Sequence, residues 1–558
     1  MSMREREPRE IEGPPVPASG VHRRSFLRGL VGLGAGGALA SVLPPAERAE
    51  AGVTGTDGAL GPLAATSFPD GVMAGDPRPD GAWLRTRLEA PADGRPLPVL
   101  WLVAEDPDMR RIAAGGIGFA RAADGHSLKK RVRRLRPDRW YYYQFRAPGA
   151  VSDVGRLRTA PAPGASPDRL RYAFCSCQQR NQSFYVAHRA MAQEDLDFFM
   201  HLGDYIYVSD SGDLALDDYR RRWRGFQSHP DLQALQAKVP IVSMWDDGEF
   251  YNGVDSTGDP ARLAAARRAW FEAMPVPRRR DDRAYRMFHW GDLADVFMID
   301  VRSYRDPEIP ANASLAGFDA QDTRRPPADQ MFDEDRTTLG ARQKRWLARR
   351  MRRSRSRWRL VGNPYNINPW KIQDFDMPRD REAGGPDFVK NGGLYVSNEA
   401  WDDYAAERRE VLEFLEREAI DNVVFTSGHT HFYLASELQA DYDDPGARTV
   451  AFDFVTGSLT ADPHWSNFTS PPNPGLLEVV EMVFMLSNEP YLKYVNMFDQ
   501  GYAVVDVTPE ETIVEYRLLE TWDENATART GARFRLVNGS NTLETLFDER
   551  PIPRVVPT

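Results

Sequence analysis

The chain has 558 residues, with 71 Lys and Arg against 81 Asp and Glu, for a net charge of −10. That acidic balance argues against a general nucleic-acid binder, and 42% apolar with 11% aromatic residues excludes wholesale disorder. No apolar run reaches the ~18–20 residues that span a bilayer, and the two cysteines, Cys175 and Cys177, sit too close together to staple a fold.

In chain order, residues 1–20 are polar and aperiodic. His22-Arg23-Arg24-Ser25-Phe26-Leu27-Arg28 follows, then a weakly apolar stretch over 30–43 diluted by four glycines, and Ala49-Glu50-Ala51. Paired arginines, a soft apolar core and a small-residue cleavage site resemble a twin-arginine signal peptide over 1–51. The resemblance implies the twin-arginine export machinery as a partner and a periplasmic or extracellular location. That route carries proteins already folded, often with a metal inserted. The other reading of the segment is a basic amphipathic helix.

Residues 52–66 are rich in Gly, Ala and Thr and read as a linker. Residues 67–160 show short alternating runs, such as 83–88 and 140–145, between Pro, Asp and Gly turns, so they predict a small all-β sandwich. The stretch 161–168 is a second linker. From Leu170 apolar strand-like runs alternate with amphipathic stretches, which predicts an α/β core. The runs are 170–175, 196–202, 239–245, 294–299, 358–361 and 422–426. Residues 342–359 hold ten Lys and Arg and no acid. They predict a solvated basic helix with Trp346, Leu347 and Met351 facing inward. Strands return over 450–456 and 501–518.

Several of these runs end in residues suited to chemistry, where α/β sheets place their sites. Phe174-Cys175-Ser176-Cys177-Gln178 offers a thiolate for a transition metal. In His201-Leu202-Gly203-Asp204-Tyr205-Ile206-Tyr207, Asp204 can bridge two cations. A tyrosine three residues later can bind as phenolate if a strong Lewis acid, usually ferric iron, displaces a proton of pKa ~10. His201 reads as a core histidine and Tyr205 as packing. Trp245-Asp246-Asp247-Gly248-Glu249 sets two carboxylates side by side, which repel unless a cation neutralises them; they could also cap the next helix. Gly428-His429-Thr430-His431 brings two imidazoles to one loop. No phosphate loop of the P-loop type and no G-x-S-x-G elbow occurs, so a serine hydrolase has no visible nucleophile.

These four clusters, in this order, resemble the PhoD-like alkaline phosphatases and phosphodiesterases, within the calcineurin-like metallophosphoesterases. Further matches extend the likeness over nearly the whole chain past the signal: Phe68 to Pro77, Leu135-Arg136-Pro137, Val154 to Pro161, Trp290 to Asp295, Ile299-Asp300-Val301-Arg302-Ser303-Tyr304-Arg305, Leu339 to Gln343, and Gly501 to Val507. The resemblance implies an α/β fold, an αββα sandwich over 169–520, behind a small all-β, fibronectin type III-like domain over 67–160. A C-terminal extension would cover 521–558. It implies ferric iron held by Cys177, Asp204, Tyr207 and His431. Asp204 would bridge to a second divalent metal also held by Asp247 and His429. Asp247, His429 and the strand-end Asn363 are the residues it places in catalysis.

Two departures stand out. The family's D-D-H-E reads D-D-G-E, so Gly248 stands where a histidine is expected. The family's G-D-x-H reads G-H-T-H, so His429 replaces an aspartate, which favours zinc or manganese over calcium as the second cation. The expectation is an exported metal-dependent phosphoester hydrolase, in which water activated by the metals attacks phosphorus in line. Its substrate would be a small-molecule or polymeric phosphoester. The rivals are a related metallohydrolase acting on another ester or anhydride, and a binding protein that lost turnover at Gly248.

Overall fold

The computed structural model describes residues 67–89, 95–208, 214–315, 318–320, 327–372, 394–395, 400–442, 444, 446–463 and 474–550. The signal-like segment 1–51 and the linker 52–66 lie outside the described residues. Two large sheets face each other. The first has ten strands, running edge to edge Leu543–Asp548, Arg529–Val537, Glu511–Leu519, Gln500–Val507, Leu170–Cys175, Phe198–His201, Ile241–Ser243, Val72–Arg78, Gly81–Arg87 and Ser127–Arg131. The second has seven, running Arg286–Trp290, Ala294–Met298, Trp358–Tyr365, Val423–Gly428, Thr449–Val455, Tyr433–Gln439 and Leu492–Asn496.

Period-two alternation assigns the two faces of the second sheet. Leu360, Val424, Phe452 and Phe454 join the core that the first sheet also lines, and Phe454 meets Phe534 across the gap at 5.7 Å between ring centroids. Their chain neighbours Val361, Val423, Phe425 and Val455 turn the other way. There they pack under the helices Gly340–Arg353 and Ala405–Arg417 with Trp346, Leu347 and Leu412. Trp346, Leu347 and Met351 are the buried apolar side of the basic helix, as its pattern predicts. Helices Val186–Met191, Leu216–Gln227, Pro230–Lys238 and Pro260–Ala273 bury Met191, Trp223, Leu235 and Trp270 in the core that the first sheet lines. The layers are therefore helix, sheet, sheet, helix, the αββα arrangement that the family resemblance implies.

The N-terminal β unit is not insulated from this core. A five-stranded sheet carries Leu97–Ala104, Ile112–Ala120 and Trp140–Ala147 with two short strands. The other three N-terminal strands extend the ten-stranded sheet, where Gly75 pairs in parallel with Ile241. A Cβ at Gly75 would lie 2.4 Å from the Ile241 carbonyl oxygen, so only glycine permits this join. At the opposite edge, Arg529–Val537 and Leu543–Asp548 continue the sheet beyond residue 520.

Candidate metal centre

The parallel strands of both sheets release their loops at one end, and the candidate residues lie there. Leu170–Cys175 leads to Cys177. Phe198–His201 leads to Asp204 and Tyr207, and Ile241–Ser243 to Asp246 and Asp247. Val423–Gly428 leads to His429 and His431. Four of these residues occupy left-handed backbone: Cys177 at φ 59°, Asp204 at 55°, His429 at 74° and His431 at 58°. Such a conformation costs a non-glycine residue about 1–3 kcal/mol and concentrates at functional sites. Here it turns each side chain back over the strand ends.

Two ligand groups result, sharing one carboxylate. Donor atoms of Cys177, Asp204 and His431 lie within 4.8 Å of one another, as do those of Asp204, Asp246, Asp247 and His429. Tyr207 belongs to the first group: its hydroxyl is 3.2 Å from Asp204 Oδ2 and 3.1 Å from His431 Nε2. The Cys177 sulfur is 3.5 Å from the same Asp204 oxygen.

Hydrogen-bond polarity sets the His431 imidazole. His431 Nδ1 is 2.7 Å from the Asp462 carbonyl oxygen, which can only accept, so the Nε2 lone pair faces Tyr207. His429 Nδ1 is 2.8 Å from Asp246 Oδ2 and 3.4 Å from an Arg302 nitrogen. Nδ1 also stands 3.9 Å from Asp204 Oδ2, so this ring nitrogen faces the carboxylate cluster.

The charges fit cations. Burial, then the neighbouring Asp247 and Asp246 carboxylates, pushes the Asp204 carboxyl well above the usual carboxylate range. Burial and then Asp204 push the Cys177 thiol and the Tyr207 phenol well up. A thiol, a phenol and clustered acids in buried surroundings become ligand anions together only when cations replace their protons. Sulfur and phenolate oxygen in the first group suit a strong Lewis acid; carboxylate and imidazole in the second suit a borderline divalent ion.

Three groups support the candidate ligands, and two of them, Arg302 and Glu249, escaped the sequence reading. Asp246 resists the effect of burial because Arg302 and His429 hold its carboxyl below the usual range. Arg302 is fully buried, pairs with Asp246, stands 3.6 Å from Asp247 Oδ2, and lies over the Tyr365 ring at 4.8 Å. Glu249 accepts hydrogen bonds from the backbone N–H of Asp204, Tyr205 and Asp246 at 2.9–3.0 Å, tying two ligand loops together. Burial pushes its carboxyl up to about 8. Arg302 and Glu249 both lie inside quoted motifs, but nothing in a linear sequence shows which loop they bind.

Gly248 donates its N–H to Asp204 Oδ1 at 2.9 Å, and its backbone is not left-handed. A Cβ there would lie 2.6 Å from the Ile206 carbonyl oxygen and 2.7 Å from Asp204 Oδ1. Asn363 is fully buried near the end of Trp358–Tyr365, in register with Ser427. His201 is buried beside Tyr205, ring centroids 4.9 Å apart, as a core histidine.

Comparison with known proteins agrees with this architecture. Residues 172–516 match the family model of the PhoD-like phosphatase, and 57–161 match that of the PhoD-like phosphatase N-terminal domain. Alkaline phosphatase D of Bacillus subtilis (strain 168) is 30% identical over 488 residues, covering 81% of this chain and 77% of the relative. A solved structure of PhoD superposes with a TM-score of 0.75 at 28% identity, covering 88% of this chain and 94% of that one. The chain belongs to the PhoD-like phosphatase family, and it is a phosphoesterase.

Proposed function

We propose that the protein is an exported metal-dependent hydrolase of phosphate mono- and diesters. The observation that carries this reading is the pair of ligand groups sharing Asp204, three of whose ligands stand on left-handed backbone beside it. Cys177, Asp204, Tyr207 and His431 would hold ferric iron. Asp204, Asp247 and His429 would hold a second divalent cation, zinc or manganese on their donor set, or calcium as in some relatives. Two such cations supply Lewis acidity to the phosphoryl oxygens and ease deprotonation of the attacking water.

The protein's own groups orient that chemistry. Asp246 lies beside the His429 ring and is itself held by Arg302. Glu249 locks the Asp204 and Asp246 backbones and is fully engaged in doing so. Gly248 offers no side chain to protonate a leaving oxygen. The leaving group must then depart largely as an anion, which favours acidic alcohols such as phenols.

The test combines metal analysis of purified protein with a panel of aryl and alkyl phosphomonoesters, phosphodiesters, carboxylic esters and anhydrides. Iron with a second metal, and turnover confined to phosphoesters, is the expected result. Preferred cleavage of carboxylic esters or anhydrides would move the substrate class to the related metallohydrolases. Tight phosphoester binding without turnover would mean a binding protein. Export is checked separately by Arg23→Lys with Arg24→Lys, which should leave folded protein inside the cell; unchanged export would refute the twin-arginine route.

A further inference from the structure

Behind Asn363 lies a buried polar chain that the ligand groups do not include. The Asp453 carboxylate, on Thr449–Val455, accepts from the Ser427 hydroxyl through Oδ1 at 2.7 Å and from the Ile367 N–H through Oδ2 at 3.0 Å. The Asn363 amide nitrogen in turn meets Ser427 Oγ at 3.2 Å and the Tyr365 carbonyl oxygen. Asn363, Ser427 and Asp453 are all fully buried. Among the described residues, Asn363 Oδ1 has no hydrogen-bond partner.

We propose that Asp453 and Ser427 are positioning residues, a one-way hydrogen-bond relay that fixes the Asn363 amide with its carbonyl oxygen free for the metal and phosphate cleft. This rests on the reading above that Asn363 belongs to the site. The argument is one of donor and acceptor counting. A serine hydroxyl has one hydrogen. Ser427 gives it to Asp453, so toward Asn363 it can only accept. The Tyr365 carbonyl also only accepts. Both hydrogens of the Asn363 amide are thereby claimed, and its oxygen is left over. An unsatisfied buried carbonyl is costly, and one left over at the end of a strand whose neighbour leads to His429 is open to a ligand. Burial pushes the Asp453 carboxyl up to about 6, so at alkaline pH it is an anion and the direction of the chain holds.

The decisive variant is Asp453→Asn. The Ile367 N–H requires the new amide to present its oxygen there, which forces its NH2 toward Ser427. The Ser427 hydrogen is then driven toward Asn363, against the demand of the Tyr365 carbonyl, and the amide loses its single orientation. Four variants are made in the full chain: Asp453→Asn, Ser427→Ala, Ser427→Thr and Asn363→Ala. Each metal-stripped protein is titrated with Mn2+ by calorimetry. Melting temperature is recorded, and kcat and KM are measured on 4-nitrophenyl phosphate.

Removing the support of a ligand typically costs 10–100-fold in affinity or activity. Asp453→Asn and Ser427→Ala should each lose that much in affinity for the weaker Mn2+ or in kcat/KM. Ser427→Thr, which keeps the hydroxyl, should behave as wild type. Adding Asp453→Asn to Asn363→Ala should cost nothing more, because the relay acts only through Asn363. If Asn363→Ala is impaired while Asp453→Asn and Ser427→Ala are not, the relay is refuted and the role of Asn363 stands. If Asn363→Ala is silent in both readouts, Asn363 lies outside the site and both readings fall. A lowered melting temperature with unchanged Mn2+ affinity and kcat/KM in the folded variants would leave a structural role alone and overturn the proposal. If Asp453→Asn does not fold, the two Ser427 variants decide.

Discussion

Asp204, His429 and His431 stand out as candidates from residue type and position after an apolar run, whereas Cys177 is separated from Cys175 only by the family resemblance. The left-handed backbone that all four share could not be read this way, since φ follows from the tertiary fit of each loop. With iron bound, the Tyr207 phenolate and Cys177 thiolate should give a visible ligand-to-metal charge-transfer band. Tyr207→Phe should shift or abolish it, and a colourless, iron-free protein with full activity would rule out the iron assignment. Gly248 is not open to simple restoration of the histidine. Its sequence context suggests that returning the family's histidine would help the leaving group depart. In this chain, however, any Cβ collides with the Ile206 carbonyl and with a ligand oxygen of Asp204. Gly248→Ala and Gly248→His should both lower the melting temperature and weaken metal loading, and neither should speed alkyl-ester cleavage. Wild-type turnover should fall steeply as the leaving-group pKa rises. A general acid is worth ~10²–10⁴-fold, so aryl esters should outrun alkyl esters by about that factor. Equal rates would mean that another group supplies the proton.

Among the strands, Leu170–Cys175 coincides with its predicted run, an apolar and aromatic stretch that follows the Pro167-Asp168 turn. The β-rich part over 501–518 resolves into two antiparallel strands, Gln500–Val507 and Glu511–Leu519. The turn between them contains no glycine to mark it; Thr508 closes it through bonds to Glu511. The basic helix was legible on its buried side. Its partners across the surface were not: Lys344 pairs with Glu410, and Arg352 with Glu418, on or just past Ala405–Arg417. Just before that helix, the turn Trp401–Tyr404 buries Asp403, whose Oδ2 accepts from the Ile309 N–H at 2.7 Å. Burial pushes this carboxyl up to about 8 from a usual 3.8, against the pull of that bond and of Arg336. The folded state therefore holds the proton more tightly than the unfolded chain. Stability from this group is full below about pH 4, falls as the pH rises, and levels off above about pH 8. Asp403→Asn removes the ionisation and can keep the bond to Ile309. It should be near neutral at pH 4 and raise the melting temperature increasingly toward pH 9. A stabilisation independent of pH would show that Asp403 does not titrate in this range.

The join between the N-terminal unit and the core was the feature least visible in sequence, because it rests on contacts between residues far apart in the chain, among them the pairing of residues 75 and 241, hydrogen bonds from Lys129 to the Phe271 and Val276 carbonyls, and a buried ion pair. Linker-like composition at 161–168 suggests a tethered sandwich, yet three of its strands complete the sheet that carries the metal loops. Arg286 seals the contact. It grips Asp76 through Nε and Nη2 at 2.8–3.0 Å and donates to the Ser243 carbonyl at 2.7 Å, with both side chains almost wholly buried. Three strands thus meet on one guanidinium: Val72–Arg78, Arg286–Trp290, and Ile241–Ser243, whose following loop holds Asp246 and Asp247. Asp76 itself sits at φ 49°, a conformation that asparagine accepts as readily as aspartate. Asp76→Asn therefore removes the charge with little change of shape or backbone preference, and it leaves Arg286 buried and uncompensated. Breaking a buried pair from one side costs about 3–5 kcal/mol, and urea denaturation of the full chain should show a loss of that size. Replacing both partners, as Asp76→Asn with Arg286→Met, should recover part of it, because no unpaired charge then remains inside. If the N-terminal strands support the metal loop through this contact, Asp76→Asn should also weaken the second cation's binding under conditions where the variant is still fully folded. Unchanged metal affinity with the full stability loss would confine the join to holding the sheet together. A stability loss below about 1 kcal/mol would mean that the Gly75–Ile241 pairing and the apolar packing suffice without the ion pair.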